Sequence, residues 1–391
     1  MIVWIQNPFD NLPIEGFRKQ RYWLMAEAFV RAGHRVVLWT TDFNHTTKKK
    51  RVVKEELEAG FEVREVPTMP YRKNVGLERV KSHREYAKAW EKTVEAEAAR
   101  PDLIVTSIPT ISAAEAALRI GRRCGAKVIV DVMDAWPETF ERLAPHGFRW
   151  LAKIALGGLR RRARRLYREA DCVTGVCARY RELTGREDYH QTYHGIEIEP
   201  ERRDLPHAEP PRKGVRIVYA GNLGLTYDLG TAIRGLKGAN ATLDIAGKGQ
   251  GEEVWKALVG ELGLDSRVRF HGYLDAETLK TLLTASDVGL VPMPADSFVG
   301  VPYKFADYAA SGLAILSSLG GESEDLLRAY GCGEGYAAGD PRSFALALEK
   351  LSGRLAEAKN SSRKMAEDAF DAVKIYDEFV TSVPERCRGF A

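Results

Sequence analysis

Nowhere in this 391-residue chain do eighteen apolar residues run together, so no stretch has the length needed for a helix across a bilayer. The start, Met-Ile-Val-Trp-Ile-Gln-Asn-Pro, has no basic region leading into an apolar one, and export is not expected. Cysteine is scarce, with five residues at positions 124, 172, 177, 332 and 387. Their odd number and lack of metal-ligand spacing exclude a disulfide framework and argue for reduced thiols in a cytoplasmic setting, none a credible nucleophile. Also missing are a Walker A sequence and, after the first strand, a spaced Gly-x-Gly-x-x-Gly with a downstream acid. A P-loop kinase and a simple dehydrogenase are thereby disfavoured.

The net charge is only +4, but it is unevenly spread. Lys48, Lys49, Lys50 and Arg51 form one run, and Arg160, Arg161, Arg162, Arg164, Arg165 and Arg168 another. The second follows Phe148-Arg-Trp-Leu-Ala-Lys-Ile-Ala-Leu, so residues 148–168 read as one amphipathic helix. Either its basic face is simply solvated, or the helix docks on anionic lipid headgroups. No aromatic and basic interleaving and no helix-turn-helix pattern accompanies it, so nucleic acid is not an expected partner.

A chain of this length suggests about two domains. Ile2 to Gln6, a helix from about Phe17 to Ala32, and Arg35 to Thr40 open a βαβ pattern. Asp102 to Ser107, a helix opened by a capping box of Ser112 and Glu115, Lys127 to Asp131, and Cys172 to Val176 continue it. After Tyr193–Pro200 and the Pro-rich stretch Asp204 to Gly214 the pattern restarts at Val215–Gly221. Further strands follow at Ala241–Gly247, Arg267–Gly272, Val288–Pro292 and Leu313–Ser318. Strands alternating with helices give mostly parallel sheets covered on both faces. The expected fold is therefore α/β, with two doubly wound, Rossmann-like domains facing across a cleft and ligands beyond the carboxyl ends of the strands.

Chemistry concentrates in the second half. Val301-Pro-Tyr-Lys-Phe-Ala-Asp307 sets Pro302 in a first helical turn, where free N–H groups and the helix dipole attract phosphate. Lys304 adds a full charge, and Asp307, one turn on, suits a ribose diol. Three Gly-bearing turns fall at strand ends: Gly221, Asn222 and Gly224; Gly247, Lys248 and Gly249; and Gly272 with Tyr273. Glycine lets backbone approach a ligand closely. In the first half, Asp131-Val-Met-Asp-Ala-Trp-Pro137 ends in a polar and aromatic turn, where Asp134 either positions a substrate or caps a helix and Trp136 offers a stacking ring. Asn7, Asn11 and Arg18 follow the first strand as turn or surface residues. His34 and His194 read as structural.

Taken in order, Ala32-Gly-His-Arg-Val36, Tyr193-His-Gly-Ile-Glu197, Tyr219-Ala-Gly-Asn-Leu-Gly224, Arg269-Phe-His-Gly-Tyr-Leu-Asp275, Ala285-Ser-Asp-Val-Gly-Leu-Val-Pro292 and Pro302-Tyr-Lys-Phe-Ala-Asp-Tyr-Ala-Ala-Ser-Gly312 resemble the retaining GT-B glycosyltransferases of family 4, also called glycosyl transferases group 1. The resemblance spans nearly the whole chain and is nearest to the branch that builds bacterial surface polysaccharides on a polyprenyl carrier. It implies a GT-B fold. Residues 1–196 would bind acceptor, with a C-terminal helix from about 376 to 391 crossing back, and residues 197–375 would bind the nucleotide sugar. It implies donor contacts from Asp307 to the ribose and from Gly16 near the diphosphate. The residues themselves add Val301 and Pro302 as donor contacts at the helix start, Arg18 and Trp136 as acceptor contacts, and Lys304 and Asp134 as catalytic residues. Two departures stand out. Val299 occupies the position where relatives often carry a Glu touching the donor sugar, and Asn222 to Asp228 contain no base. Lys304 then inherits the charge neutralisation. No Asp-x-Asp triplet occurs, so neither a bridging metal nor any cofactor beyond the nucleotide sugar is expected.

The resulting expectation is a cytoplasmic enzyme, peripheral to the inner face of the membrane through 148–168. It would move a sugar with retention, without metal, from a UDP-sugar to a lipid-linked or oligosaccharide acceptor, its closure hinging near 193–205. A sugar-nucleotide epimerase of the same fold and a non-catalytic nucleotide-sugar-binding protein are the alternatives.

Overall fold

The computed structural model describes residues 1–51, 59–72, 76–144, 146–198, 214–224 and 227–387. Residues 199–213, which carry most of the expected linker and part of the expected hinge, lie outside them. The chain forms two compact units, Met1–Gly195 with Val373–Ala391, and Ile196–Ala372. Each is built on an all-parallel sheet.

In the first unit the strands are β1 (Ile2–Gln6), β2 (Arg35–Thr41), β3 (Glu62–Val66), β4 (Leu103–Ile108), β5 (Lys127–Val132), β6 (Cys172–Gly175) and β7 (His190–Gln191), ordered β3-β2-β1-β4-β5-β6-β7. β1 is thus flanked by β2 and β4, with Val3 opposite both Val36 and Leu103. The strand order reverses there, which opens a crevice beyond the carboxyl ends. Trp4, Trp39 and Trp90, all buried, meet edge to face at 5.6 to 6.4 Å and pin the helix Leu77–Glu95 to the sheet. The last helix, Ala372–Arg386, packs on this unit. Phe379 meets Phe29 edge-on at 6.3 Å, Asp377 pairs with Arg31 at 2.7 Å, and the Tyr376 hydroxyl accepts the Gly195 N–H at 3.0 Å.

The second unit has β8 (Val215–Ala220), β9 (Ala241–Ala246), β10 (Val268–Gly272), β11 (Val288–Val291), β12 (Ala314–Ser317) and β13 (Gly333–Gly335), ordered β10-β9-β8-β11-β12-β13. Its reversal falls between β8 and β11.

Three expected elements differ in detail. The first helix begins at Arg21, not near Phe17. Gln20 is extended, and its side-chain oxygen accepts the Asn11 N–H at 2.8 Å, which holds the chain out of helical geometry until that point. The Ser112/Glu115 capping box does not form, because the helix Ile111–Cys124 has Thr110 as its capping residue, two positions earlier. The Ser112 hydroxyl instead donates to the His83 carbonyl, and Glu115 pairs with Arg162 at 2.5 Å. The single helix over 148–168 is two, Arg149–Ala155 and Gly157–Glu169, breaking at Leu156 just before the weakly helical Gly157-Gly158 pair.

Candidate functional site

Lys304 lies in the first turn of the helix Tyr303–Ala310, which follows β11, with Pro302 just before it as the capping residue. Its ammonium reaches to the end of the neighbouring β8. There it sits 4.3 Å above the Tyr219 ring and 4.1 Å above the Tyr227 ring and donates to the Tyr219 hydroxyl at 3.2 Å. Two aromatic faces hold a cation well but carry no negative charge. Burial therefore pushes Lys304 down to about 7, against the opposing pull of Asp307. Tyr219 in turn donates to the Asn222 carbonyl at 2.7 Å, and the Tyr308 hydroxyl accepts the Ala220 N–H at 2.8 Å, so the turn after β8 is braced by the helix that carries Lys304. Tyr219, Tyr227 and Tyr308 were not singled out from the sequence. Their signal is aromatic residues flanking a Gly turn, and it becomes specific only once β8 and β11 are neighbours.

The three Gly turns converge as a zipper. Gly221 donates to the Ala246 carbonyl at 2.9 Å, Gly247 to Gly272 at 2.7 Å, and Leu223 to Lys248 at 3.0 Å. At Gly247, with φ +139°, a Cβ would fall 1.8 Å from the Gly221 carbonyl oxygen, so no side chain fits. Gly224, Gly249 and Lys248 belong to the same turns, while Asn222 and Tyr273 are exposed. The amides of Gly221, Leu223 and Gly247 are thus bonded within the protein. The positive charge at this strand reversal is the Lys304 ammonium, beside the first-turn N–H groups behind Pro302. Asp307 follows one turn on, and Val301 is buried beneath. Val299 donates its N–H to the Ser297 hydroxyl at 3.2 Å.

Other expected residues lie in the first unit. Gly16 ends a short 3-10 turn, Pro13–Glu15, in left-handed geometry, and Arg18 is exposed. Asn7 is a structural brace: its side-chain oxygen accepts the Phe9 and Asp10 N–H groups at 2.7 and 2.8 Å. Asp134 follows β5, and burial raises its carboxyl above the usual range against the pull of Arg79. Trp136 is only 6% exposed. Its ring packs against Phe140 at 4.4 Å and His83 at 5.6 Å, with the Arg79 guanidinium 4.8 Å away. It is therefore a packed residue of the turn, not the open stacking platform that its sequence position suggested. His194 is buried, and burial with the nearby Arg21 cation pushes its imidazole well down.

The sequence did not disclose the charge at the centre of this unit. Arg21, fully buried, grips Asp131 with two hydrogen bonds of 2.8 and 2.9 Å and donates to the Thr192 and Tyr193 carbonyls. The Tyr22 and Thr174 hydroxyls each donate to Asp131 at 2.6 Å. Among the described residues, no helix is long and apolar enough to cross a membrane.

A comparison with curated proteins gives no match. Among solved structures, sucrose-phosphate synthase from Thermosynechococcus elongatus superposes with a TM-score of 0.75 at 13% identity, covering 98% of both chains. Anabaena HepE in complex with UDP gives 0.67 at 15% identity, over 98% of this chain and 99% of that one. WaaG, a glycosyltransferase involved in lipopolysaccharide biosynthesis, gives 0.62 at 15% identity over all of both chains. Together with the two parallel sheets, these likenesses define a GT-B fold. A "Glycosyl transferase 4-like domain" model matches residues 20–191 and a "Glycosyl transferases group 1" model residues 215–354, together more than three quarters of the chain. With its two units matched in that order, this chain belongs to the glycosyl transferases group 1 family and is a glycosyltransferase.

Proposed function

We propose that the enzyme moves a sugar from a UDP-sugar to a lipid-linked or oligosaccharide acceptor, with retention and without metal, the second unit (197–375) binding donor and the first (1–196 with the last helix) binding acceptor. The observation that carries this reading is the Lys304 ammonium on Tyr219 and Tyr227 at the β8/β11 reversal, a fixed cation awaiting a diphosphate. Breaking the sugar–phosphate bond leaves negative charge on the departing phosphate, which a preorganised cation stabilises. That oxygen takes the acceptor hydroxyl's proton as the new bond forms on the same face. Asp307 holds the ribose, and Asp134 positions the acceptor hydroxyl. The solved complexes of HepE with UDP and with UDP-glucose support the choice of nucleotide.

Thermal unfolding with excess UDP, GDP, ADP or NAD in EDTA tests it. A ligand at a hundred times its Kd adds about 2.7 kcal/mol to the folded state, so a rise with UDP alone is expected. No rise with any nucleotide would sink the donor assignment. Anomeric NMR of the product checks retention.

We also propose that this cytoplasmic enzyme touches the inner face of the membrane through residues 148–168. The contact is more apolar than the sequence implied. Phe148, Trp150, Leu151 and Ile154 are exposed by 60, 59, 44 and 70%, whereas Arg162 and Arg165 are held by Glu115 and Glu169. Replacing Trp150 and Ile154 with Ser is therefore expected to abolish co-sedimentation with anionic vesicles. Binding as strong as wild type would return the patch to an ordinary surface.

A further inference from the structure

The aromatic contacts of Lys304 come partly from a stretch that supplies no cation of its own. Residues 221–228, the turn after β8, contain no lysine or arginine. What this turn brings to Lys304 is the ring of Tyr227, set at 65° to the Tyr219 ring with the two centroids 6.0 Å apart. The ammonium lies in the angle between them, 4.3 Å from the first and 4.1 Å from the second, and donates to the Tyr219 hydroxyl. Gly221 stands beside it. A Cβ there would come 3.2 Å from Lys304 Nζ and 3.4 Å from the Tyr219 hydroxyl, so any side chain would crowd the ammonium.

The helix that carries the lysine is seated on the same two strands. Tyr308 packs on Gly289 of β11, where a Cβ would fall 2.3 Å from its ring, and its hydroxyl accepts the Ala220 N–H of β8. Lysine has much rotamer freedom to lose, and here both its backbone and its ammonium are held in advance. Of the titratable groups facing that ammonium, Tyr219 on β8 and Tyr308 on the helix are held as phenols by burial, Tyr227 comes from the turn, and Asp307, on the lysine's own helix, pulls towards the charged form. A ring next to a lysine acts in two opposed ways. Its face attracts the cation, while its bulk keeps water out and so favours the neutral amine. The first effect needs an aromatic ring; the second needs only a side chain of similar size.

We propose that Tyr227, together with Tyr219, is a positioning residue of the transfer reaction: the two rings hold the Lys304 ammonium charged and in place at the β8/β11 reversal before the donor arrives. The role in transfer rests on the donor reading above; the coupling of ring to ammonium does not.

The test first reads Lys304 without donor, as the pH midpoint of its side-chain resonance in carbon-13 lysine-labelled protein, assigned by its loss in Lys304→Gln. Tyr227→Leu keeps the site dry but removes the ring face, so the midpoint should fall by about one pH unit. Tyr227→Ala admits water and should raise it, whereas Tyr227→Phe, which retains the ring, should keep the wild-type midpoint. One midpoint shared by wild type and the Leu and Ala variants would overturn the coupling, as would a Phe variant that follows Leu. Calorimetry with UDP-glucose between pH 6 and 9 then reads the consequence. The pH above which affinity weakens should move down in Tyr227→Leu, in step with the resonance, and stay in place in Tyr227→Phe. Affinity lowered by one factor at every pH, with the break unmoved, would make Tyr227 a packing residue and overturn the positioning role. Thermal unfolding with UDP reports separately on the donor assignment, so its failure is distinguishable from failure of the coupling, which is read in the free protein.

Discussion

Lys304→Ala is expected to lower kcat by about a hundredfold to a thousandfold, the cost of removing one preorganised group from developing charge, while the second unit still folds. The same substitution should raise the melting temperature at pH 6. Lys304 has a folded pKa of about 7, below its ordinary value of 10.5. Its burial cost is therefore fully present below pH 7 and is relieved as pH rises from there towards 10.5, so deleting the charge at pH 6 removes the whole penalty. Donor binding should show the mirror image. A diphosphate keeps Lys304 protonated, so a UDP-sugar, whose diphosphate does not titrate in this range, should bind with constant affinity below pH 7. Above it, affinity should weaken by up to about tenfold per pH unit. Calorimetry between pH 6 and 9 reads this, and the alanine variant should lose the dependence. Full turnover in Lys304→Ala would remove the central claim.

Breaking the Arg21–Asp131 pair is expected to be the most damaging change to stability in the first unit. Both side chains are wholly buried, at 0% exposure, and removing either partner strands a charge in low dielectric, at a cost of about 3–5 kcal/mol. Asp131→Asn keeps the shape but loses the charge, while Arg21→Met with Asp131→Leu strands no charge and should cost less than either partner's single replacement. Urea unfolding followed by fluorescence of Trp4, Trp39 and Trp90 measures this. A loss under about 1 kcal/mol in Asp131→Asn would contradict the assignment. The acid response has two signs. Arg21, Thr174 and Tyr22 pull Asp131 below its ordinary value against its burial, so its stabilisation is present above the normal carboxylate range and lost as pH falls through its folded pKa. Burial lifts Asp10 to about 6, so its cost is present above pH 6 and is relieved as pH falls from there towards 3.8.

These two sites show why some features are legible in a sequence and others are not. Lys304 was legible because what marks it is local: a proline, a lysine three residues before an acid, and a glycine before an apolar strand. Tyr219 was not, since it lies 85 residues from Lys304 and joins it only through the parallel pairing of β8 with β11. Most strands are legible in their β-branched apolar runs, whereas β3, Glu-Val-Arg-Glu-Val, alternates too weakly, and the edge strands β7 and β13 are too short to show. Arg79 and His83 carried a usable signal. They continue, at helical spacing, the stripe of Tyr86 and Trp90, so polar groups extend a buried face towards the helix start. Arg21 and Asp131 carried none, because a charged residue next to an apolar run reads as a surface position until its partner, 110 residues away, is known.

The last helix gives the chain an order of assembly. Residues 196–372 form a self-contained unit inserted into the first, which is completed only by the segment from Val373 onward. During synthesis from the amino terminus, the inserted unit can therefore close its sheet while the first still lacks Tyr376 and Phe379 against Gly195 and Phe29. The unit begun first on the ribosome is finished last, and a chain truncated after residue 372 would hold a folded second unit and a first unit with an uncovered apolar face.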